Sequence, residues 1–265
     1  MPNKSIMTLT AIILTYNEQK HIQACIQSLS FVDRVVVFDS FSTDATVQLA
    51  TEQGAHVIQN RFVNYAQQRN DALHHVEGQA DWVLFVDADE RVSPDLAQEI
   101  HEAIQHNGNE AGYRIPRWNR IVGHQMKATG WYPDYQTRLL KVGASHYDPT
   151  IAVHEVVVLA GELGTLQHHL LHFNYDSFAL FHAKQRRYST YEAEILFTQG
   201  VKPKAWSALT MPIHHFRWRF FTLQGYRDGW MGCYLSVLMA WYEGKKMRHL
   251  AKLWRGDATP RQHAN

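Results

Sequence analysis

Three short apolar stretches stand out in the N-terminal half of the chain, at residues 10–14, 35–38 and 82–86. Strands covered on both faces read this way, as in a parallel sheet sandwiched between helices. Helical periods lie between and after them. Ile22, Ile26 and Leu29 recur at i, i+4, i+7, and Leu96, Ile100, Ala103 and Ile104 repeat that spacing behind Pro94, a good first-turn residue. A weaker strand at 55–59 precedes a helical stretch at 64–76. The order β-α-β-α-β-α-β-α predicts a doubly wound α/β sheet of the nucleotide-binding type. Right-handed crossovers place the strand C-termini along one edge, where ligands bind.

The pattern changes after residue 112. Strands are expected at 112–118, 136–141 and 150–159, with a connection rich in Gly, Trp and Pro (Gly123, Gly130, Trp131, Pro133) between the first two. That connection is long enough to be functional. Ser177 is placed to cap a helix over 178–199 that shows Lys184, Arg186 and Arg187 on its outer side. A further helix is expected from about Tyr226 to Trp254. These signals divide the chain into a catalytic α/β domain over 1–175 and a helical extension over 176–265.

Charge sharpens that division. The 265 residues carry a net charge of only +1, which gives no global reason to expect nucleic acid. Residues 202–255, however, hold ten Lys/Arg against Asp228 and Glu243, together with five of the eight tryptophans. Basic, Trp-rich amphipathic segments lie in the interface of anionic bilayers, so a membrane surface is the expected partner. The competing assignment packs this segment on the catalytic domain or on a second copy of the chain. The longest apolar run, 229–242, is shorter than the roughly 20 residues needed to span a bilayer. Residues 6–14 read as a core strand rather than a signal peptide. Two cysteines far apart, Cys25 and Cys233, suit a reduced compartment. The expected location is therefore cytoplasmic, peripheral on the inner face of the cell membrane.

The chemistry-bearing residues gather at predicted strand ends. Tyr16-Asn17-Glu18 follows the first strand, Asp39-Ser40 the second and Asp87-Ala88-Asp89-Glu90 the fourth. Asn17, Ser42 and Asp44 also suit helix caps. An aspartate that ends an apolar strand must be solvated, paired or metal-bound, because burying a bare carboxylate is costly. Asp87-x-Asp89 suits a hard divalent cation, Mg²⁺ or Mn²⁺, bridging to a diphosphate. Most of the 17 histidines are expected at the surface or in packing, and His154 is the candidate third metal ligand.

Taken together, residues 14–18 (LTYNE), 37–46 (VFDSFSTDAT), 68–70 (QRN) and 86–90 (VDADE) resemble glycosyltransferase family 2. Residues 130–134 (GWYPD), 138–140 (RLL) and 153–155 (VHE) are similar to its lipopolysaccharide-core β-1,4-glucosyltransferase branch. The resemblance implies a GT-A fold, an inverting transfer from UDP-glucose, and a lipid-linked or core-saccharide acceptor. It further implies that Thr15, Tyr16, Glu18, Asp39 and Arg69 surround the nucleotide, with Ser40 where many relatives carry a second acid. Asp87, Ala88 and Asp89 then hold the ribose and the metal-bound diphosphate. An inverting transfer needs a base opposite the leaving group. Glu155 in its strand pattern and Asp134 in the Trp/Pro connection are the two candidates, Glu155 the favoured one. Trp131 and Tyr132 are placed either to stack on a sugar or to pack.

Rival classes fit less well. A haloacid-dehalogenase-type phosphatase wants Thr or Val where Arg91 stands, and a nucleotidyltransferase wants a glycine-rich loop in place of Tyr16-Asn17-Glu18. A catalytically dead, membrane-peripheral sugar-binding protein would have little reason to keep the paired acids and Glu155.

Overall fold

The structure is a computed structural model, described here for residues 7–106, 108–148 and 156–258. Strands β1 (Leu9–Thr15), β2 (Arg34–Asp39), β3 (His56–Gln59) and β4 (Trp82–Asp87) alternate with helices α1 (Ile22–Gln27), α2 (Thr46–Glu52) and α3 (Tyr65–Val76). A short β5 (Glu90–Val92) and α4 (Pro94–Gln105) follow. The three apolar stretches and the weaker one at 55–59 thus form strands, and Asn64 and Ser93 cap α3 and α4 through their side-chain oxygens. Pairings β3–β2, β2–β1 and β1–β4 are parallel.

Alternation along the strands feeds two cores. Leu9, Ala11 and Ile13 of β1 and Trp82, Leu84 and Val86 of β4 pack with Ile22, Cys25, Leu96 and Ile100 on one face. Ile12, Val83 and Phe85 pack with Ala72, Leu73 and Val76 of α3 on the other. A sheet with both faces covered needs the unbroken apolar runs seen in the sequence.

The later strands are β6 (Glu110–Ile121), β7 (His124–Gln125), β8 (Asp134–Lys141), β9 (Ser145–Tyr147), β10 (Val157–Leu159), β11 (Glu162–Thr165) and β12 (Leu170–Tyr175). The sheet order is β3-β2-β1-β4-β8-β6-β12-β5, with β7 and β11 on β6. β8 joins β4 antiparallel, and β12 joins β5 antiparallel. The parallel part is thus built by the first four strands, and antiparallel strands extend it. Of the strand expected at 150–159, Val157–Leu159 is observed, and residues 149–155 lie outside the described region.

Two compact units emerge: Met1–Arg117 with Tyr135–His172, and Trp118–Asp134 with Phe173–Asn265. A single cut at 175/176 therefore misplaces residues 118–134. Burial explains why they group with the helices. Ile121, Met126 and Trp131 share a core with Phe181, Met231, Leu235 and Tyr242. Asp228, one of the two acids of the basic stretch, is buried and accepts hydrogen bonds from Lys127 N (2.6 Å), Ala128 N (3.0 Å) and Thr129 Oγ1 (2.7 Å). Trp131 is thus a packing residue.

The helices of this unit are α5 (Phe178–Thr198), α6 (Ser207–Arg217) and α7 (Gly229–Arg255), with a π turn and a 3₁₀ turn between α6 and α7. Ser177 caps α5 as expected. The expected final helix is observed, whereas α6, which carries Pro212 in its interior, was not anticipated. It packs against α7 where Gly244 leaves room, since a Cβ there would stand 2.9 Å from Pro212. No helix among the described residues is long and apolar enough to cross a membrane.

Candidate functional site

A cavity of about 690 Å³ opens at the C-terminal edge of the parallel strands, within the first unit. Its walls come from the ends of β1 and β4, from α3, from β8 and from β12. They include Thr15, Tyr16, Glu18, Ser40, Arg69, Asp87, Ala88 and Asp89. Those residues were singled out in the sequence at four separate places, and the topology brings them together. Asp39, expected among them, lies fully buried behind the lining. It accepts from Thr15 Oγ1 (3.1 Å), Ser42 N (2.8 Å) and Ser42 Oγ, which fixes the β1 and β2 ends against each other. Two bulky turns hold these ends: Asn17 and Phe41 adopt φ of 57° and 59°, values that strain non-glycine residues. Asn17 compensates by accepting from Thr43 N through Oδ1 (2.8 Å).

Arginines dominate the electrostatics of the far wall. Arg138, itself buried, donates to both oxygens of Asp87 and to Glu90 Oε1 (3.1 Å). Arg117 stands 3.4 Å from Glu90 Oε1 and 3.9 Å from Asp87, and Arg69 stands 3.9 Å from Asp87. Glu90 is fully buried, and its other oxygen accepts from Asp87 N (2.9 Å), closing the turn that presents the acidic pair. Burial pushes the Asp87 carboxyl up, but the charge of Arg138 and of Arg69, the hydrogen bonds from Arg138 and the charge of Arg117 outweigh it. They hold Asp87 well below the usual carboxylate range. Arg138 is held above its ordinary value by Asp87 and Glu90, against the opposing effect of burial.

Asp89 has a different neighbour. His172 Nε2 of β12 lies 3.3 Å from Asp89 Oδ2, and the β12–β5 register sets His172 opposite Glu90. This histidine was not anticipated. His154, the expected metal ligand, and Glu155, the favoured base, both lie outside the described residues. Among the described residues no group of three His, Cys, Asp or Glu side chains could hold a metal ion alone. A carboxylate–imidazole pair nevertheless suits Mn²⁺ or Mg²⁺ when a diphosphate supplies further oxygens. The charge balance fits as well. The lining carries three carboxylates (Glu18, Asp87, Asp89) and three guanidiniums (Arg69, Arg117, Arg138), so a dication and a diphosphate enter together without net charge.

Asp134, the other candidate base, starts β8 and is held by Asn119 Nδ2 at 3.3 Å in the second unit. Arg91 turns toward the backbone, donating to Ala88 O (2.8 Å), Glu90 O (2.6 Å) and His21 O (3.1 Å). Cys25 is buried, and burial raises its thiol pKa far beyond reactivity. Three exposed aromatics, Tyr16, Phe62 and Tyr65, stand at the mouth of the cavity.

Comparison with known proteins places this geometry. The model of the family described as glycosyl transferase family 2 matches residues 10–158. The lipopolysaccharide core biosynthesis glycosyltransferase LpsC of Rhizobium meliloti is 29% identical over 237 residues, covering 87% of this chain and 85% of its own. An uncharacterized glycosyltransferase of Rickettsia bellii is 30% identical, covering 92% and 86%. Among solved structures, glucosyl-3-phosphoglycerate synthase of Mycobacterium tuberculosis, in complex with Mn²⁺, UDP and glucosyl-3-phosphoglycerate, overlaps 44% of this chain and 46% of its own. Its TM-score is 0.37 and its identity 23%.

Proposed function

The chain belongs to glycosyl transferase family 2, and we propose that it moves glucose from UDP-glucose, with inversion, onto a lipid-linked or lipopolysaccharide-core saccharide met at the cytoplasmic face of a membrane. The observation that carries this reading is the single cavity in which the ends of β1 and β4 converge with Arg69, Arg138 and His172. Its volume of about 690 Å³ falls in the range of pockets that take cofactor-sized ligands. The sequence likeness to a lipopolysaccharide core glycosyltransferase supports the acceptor class.

Each part of the donor meets fitting chemistry. Tyr16, Phe62 and Tyr65 offer aromatic faces to the base. Asp87, locked as an anion by its arginines, accepts hydrogen bonds from the ribose hydroxyls. Asp89 and His172 would hold a Mg²⁺ or Mn²⁺ ion, which when bound neutralises charge on the leaving diphosphate. The acceptor oxygen forms its bond to the anomeric carbon as the bond from that carbon to the β-phosphate oxygen breaks. The bond pair leaves with UDP. A carboxylate takes the acceptor proton, Glu155 by preference and Asp134 as the alternative.

The test uses labelled UDP-glucose and a lipid-linked saccharide fraction, with the product linkage read by NMR. Metal-dependent formation of a β-linked glucoside supports the proposal. An α-linked product refutes inversion, and transfer from other nucleotide sugars alone refutes the donor.

A further inference from the structure

A second, larger concavity of about 980 Å³ lies between α5 and α7, within the helical unit. Arg186, Arg187, Lys245, Arg248 and Lys252 line it with His249, Ser189 and Thr190, and no carboxylate joins the lining. The nearby acids have partners of their own. Lys246 holds Glu192 (3.1 Å) and Glu243 (2.7 Å), and Glu194 lies 3.8 Å from His249. Among the described residues none of the five lining cations makes an ion pair. Five like charges around one groove repel one another, so the arrangement is stabilised when an anion occupies it. Arginine forks beside hydroxyl donors match phosphate oxygens.

The same exposed stripe of α7 says what carries the phosphate. Read along the helix at spacings of three and four, it runs Trp230, Tyr234, Val237, Trp241, Lys245, Arg248, Lys252. Trp230 is 68% and Trp241 45% exposed. Lys245 Nζ sits 3.9 Å from the Trp241 ring centre, where the aromatic part meets the basic part. A soluble anion would leave the aromatic half without a counterpart, whereas an interface of anionic lipid offers acyl chains to one half and phosphates to the other.

We propose that the α5–α7 groove binds the phosphate head groups of anionic membrane lipids, with the aromatic half of α7 inserted beside them. The inference rests on the reading that the acceptor is met at a membrane and names the site that does the docking. Lys246 is not part of it, because two ion pairs already hold it.

The test is sedimentation with vesicles of phosphatidylcholine alone or mixed with phosphatidylglycerol, and UDP titration of the same preparations. Wild type should bind the mixed vesicles and release at raised salt. A variant carrying R187Q, R248Q and K252Q should lose on the order of a hundredfold in vesicle affinity while binding UDP as before. A charge-matched variant outside the groove, K202Q with K204Q and R217Q, should stay within a few-fold of wild type. Equal losses in the two triple variants would reduce the groove to diffuse charge and overturn the proposal. So would tight binding of inorganic phosphate without vesicle binding, or a groove variant whose only change is a lost dimer. Wild type that binds UDP but ignores anionic vesicles sinks this inference and leaves the donor reading standing. Vesicle binding without any nucleotide binding does the reverse.

Discussion

Replacing Arg138 by Met tests how the acidic turn is held. The guanidinium is buried and satisfies Asp87 with two bonds and Glu90 with one. Its loss leaves Glu90, fully buried, with Arg117 at 3.4 Å as its remaining guanidinium. Removing one partner of a buried pair costs about 3–5 kcal/mol. Arg117 remains, and Asp87 is about a third exposed and therefore screened, so the lower end, about 3 kcal/mol, is expected. For a protein of this size that lowers the melting temperature by roughly 6–12 °C. The effect should depend on pH in a defined direction. Because its arginines depress the Asp87 pKa, the stability they confer is complete above the unfolded carboxylate pKa near 4 and lost as pH falls through the folded value. The gap between wild type and R138M should therefore be widest at neutral pH and narrow below about pH 4. Adding E90Q to R138M removes the stranded charge and should recover part of the loss. Thermal and urea unfolding at neutral and acid pH measure all three proteins. A loss below about 1 kcal/mol that does not change with pH would refute the reasoning.

Asp89→Asn and His172→Ala should each weaken Mn²⁺-dependent UDP binding at least tenfold in calorimetry, a loss of about 1.4 kcal/mol, while leaving the melting temperature of the metal-free protein within a few degrees. An unchanged His172 variant would remove that residue from the site. Glu155→Gln should lower turnover roughly 10²–10⁴-fold with donor affinity little altered, and Asp134→Asn serves as its control. A large turnover loss in the Asp134 variant alone would exchange the two roles. Asp228→Ala should destabilise the protein by roughly 3 kcal/mol by stranding two buried donors and one partly buried one, read by urea unfolding. A neutral effect would show that water replaces the carboxylate.

The first half of the fold was legible because a sheet covered on both faces demands apolar runs, and residues 10–14, 35–38 and 82–86 have no other use. The cavity at the strand ends was legible for a related reason. A carboxylate that ends such a run must have a partner, so Asp39 and Asp87 announced themselves. What held them was less visible. Asp39 turned out to be satisfied internally by Thr15 and Ser42. Arg138 stood inside a quoted motif without an assigned role, because nothing local told that β8 would lie antiparallel beside β4. His172 sits in a weakly patterned strand 83 residues from Asp89, and only the β12–β5 pairing reveals it. Asp228 looked like a stray acid in a basic stretch, since its three donors lie about a hundred residues earlier.

The most direct test of the central claim is calorimetric titration of the purified protein with UDP-glucose, in Mn²⁺ and in chelator. The account predicts saturable binding of one nucleotide sugar per chain in Mn²⁺, weakened at least tenfold, or about 1.4 kcal/mol, in chelator and in the Asp89→Asn variant. Folded protein that binds neither UDP-glucose nor UDP under any of these conditions would contradict it.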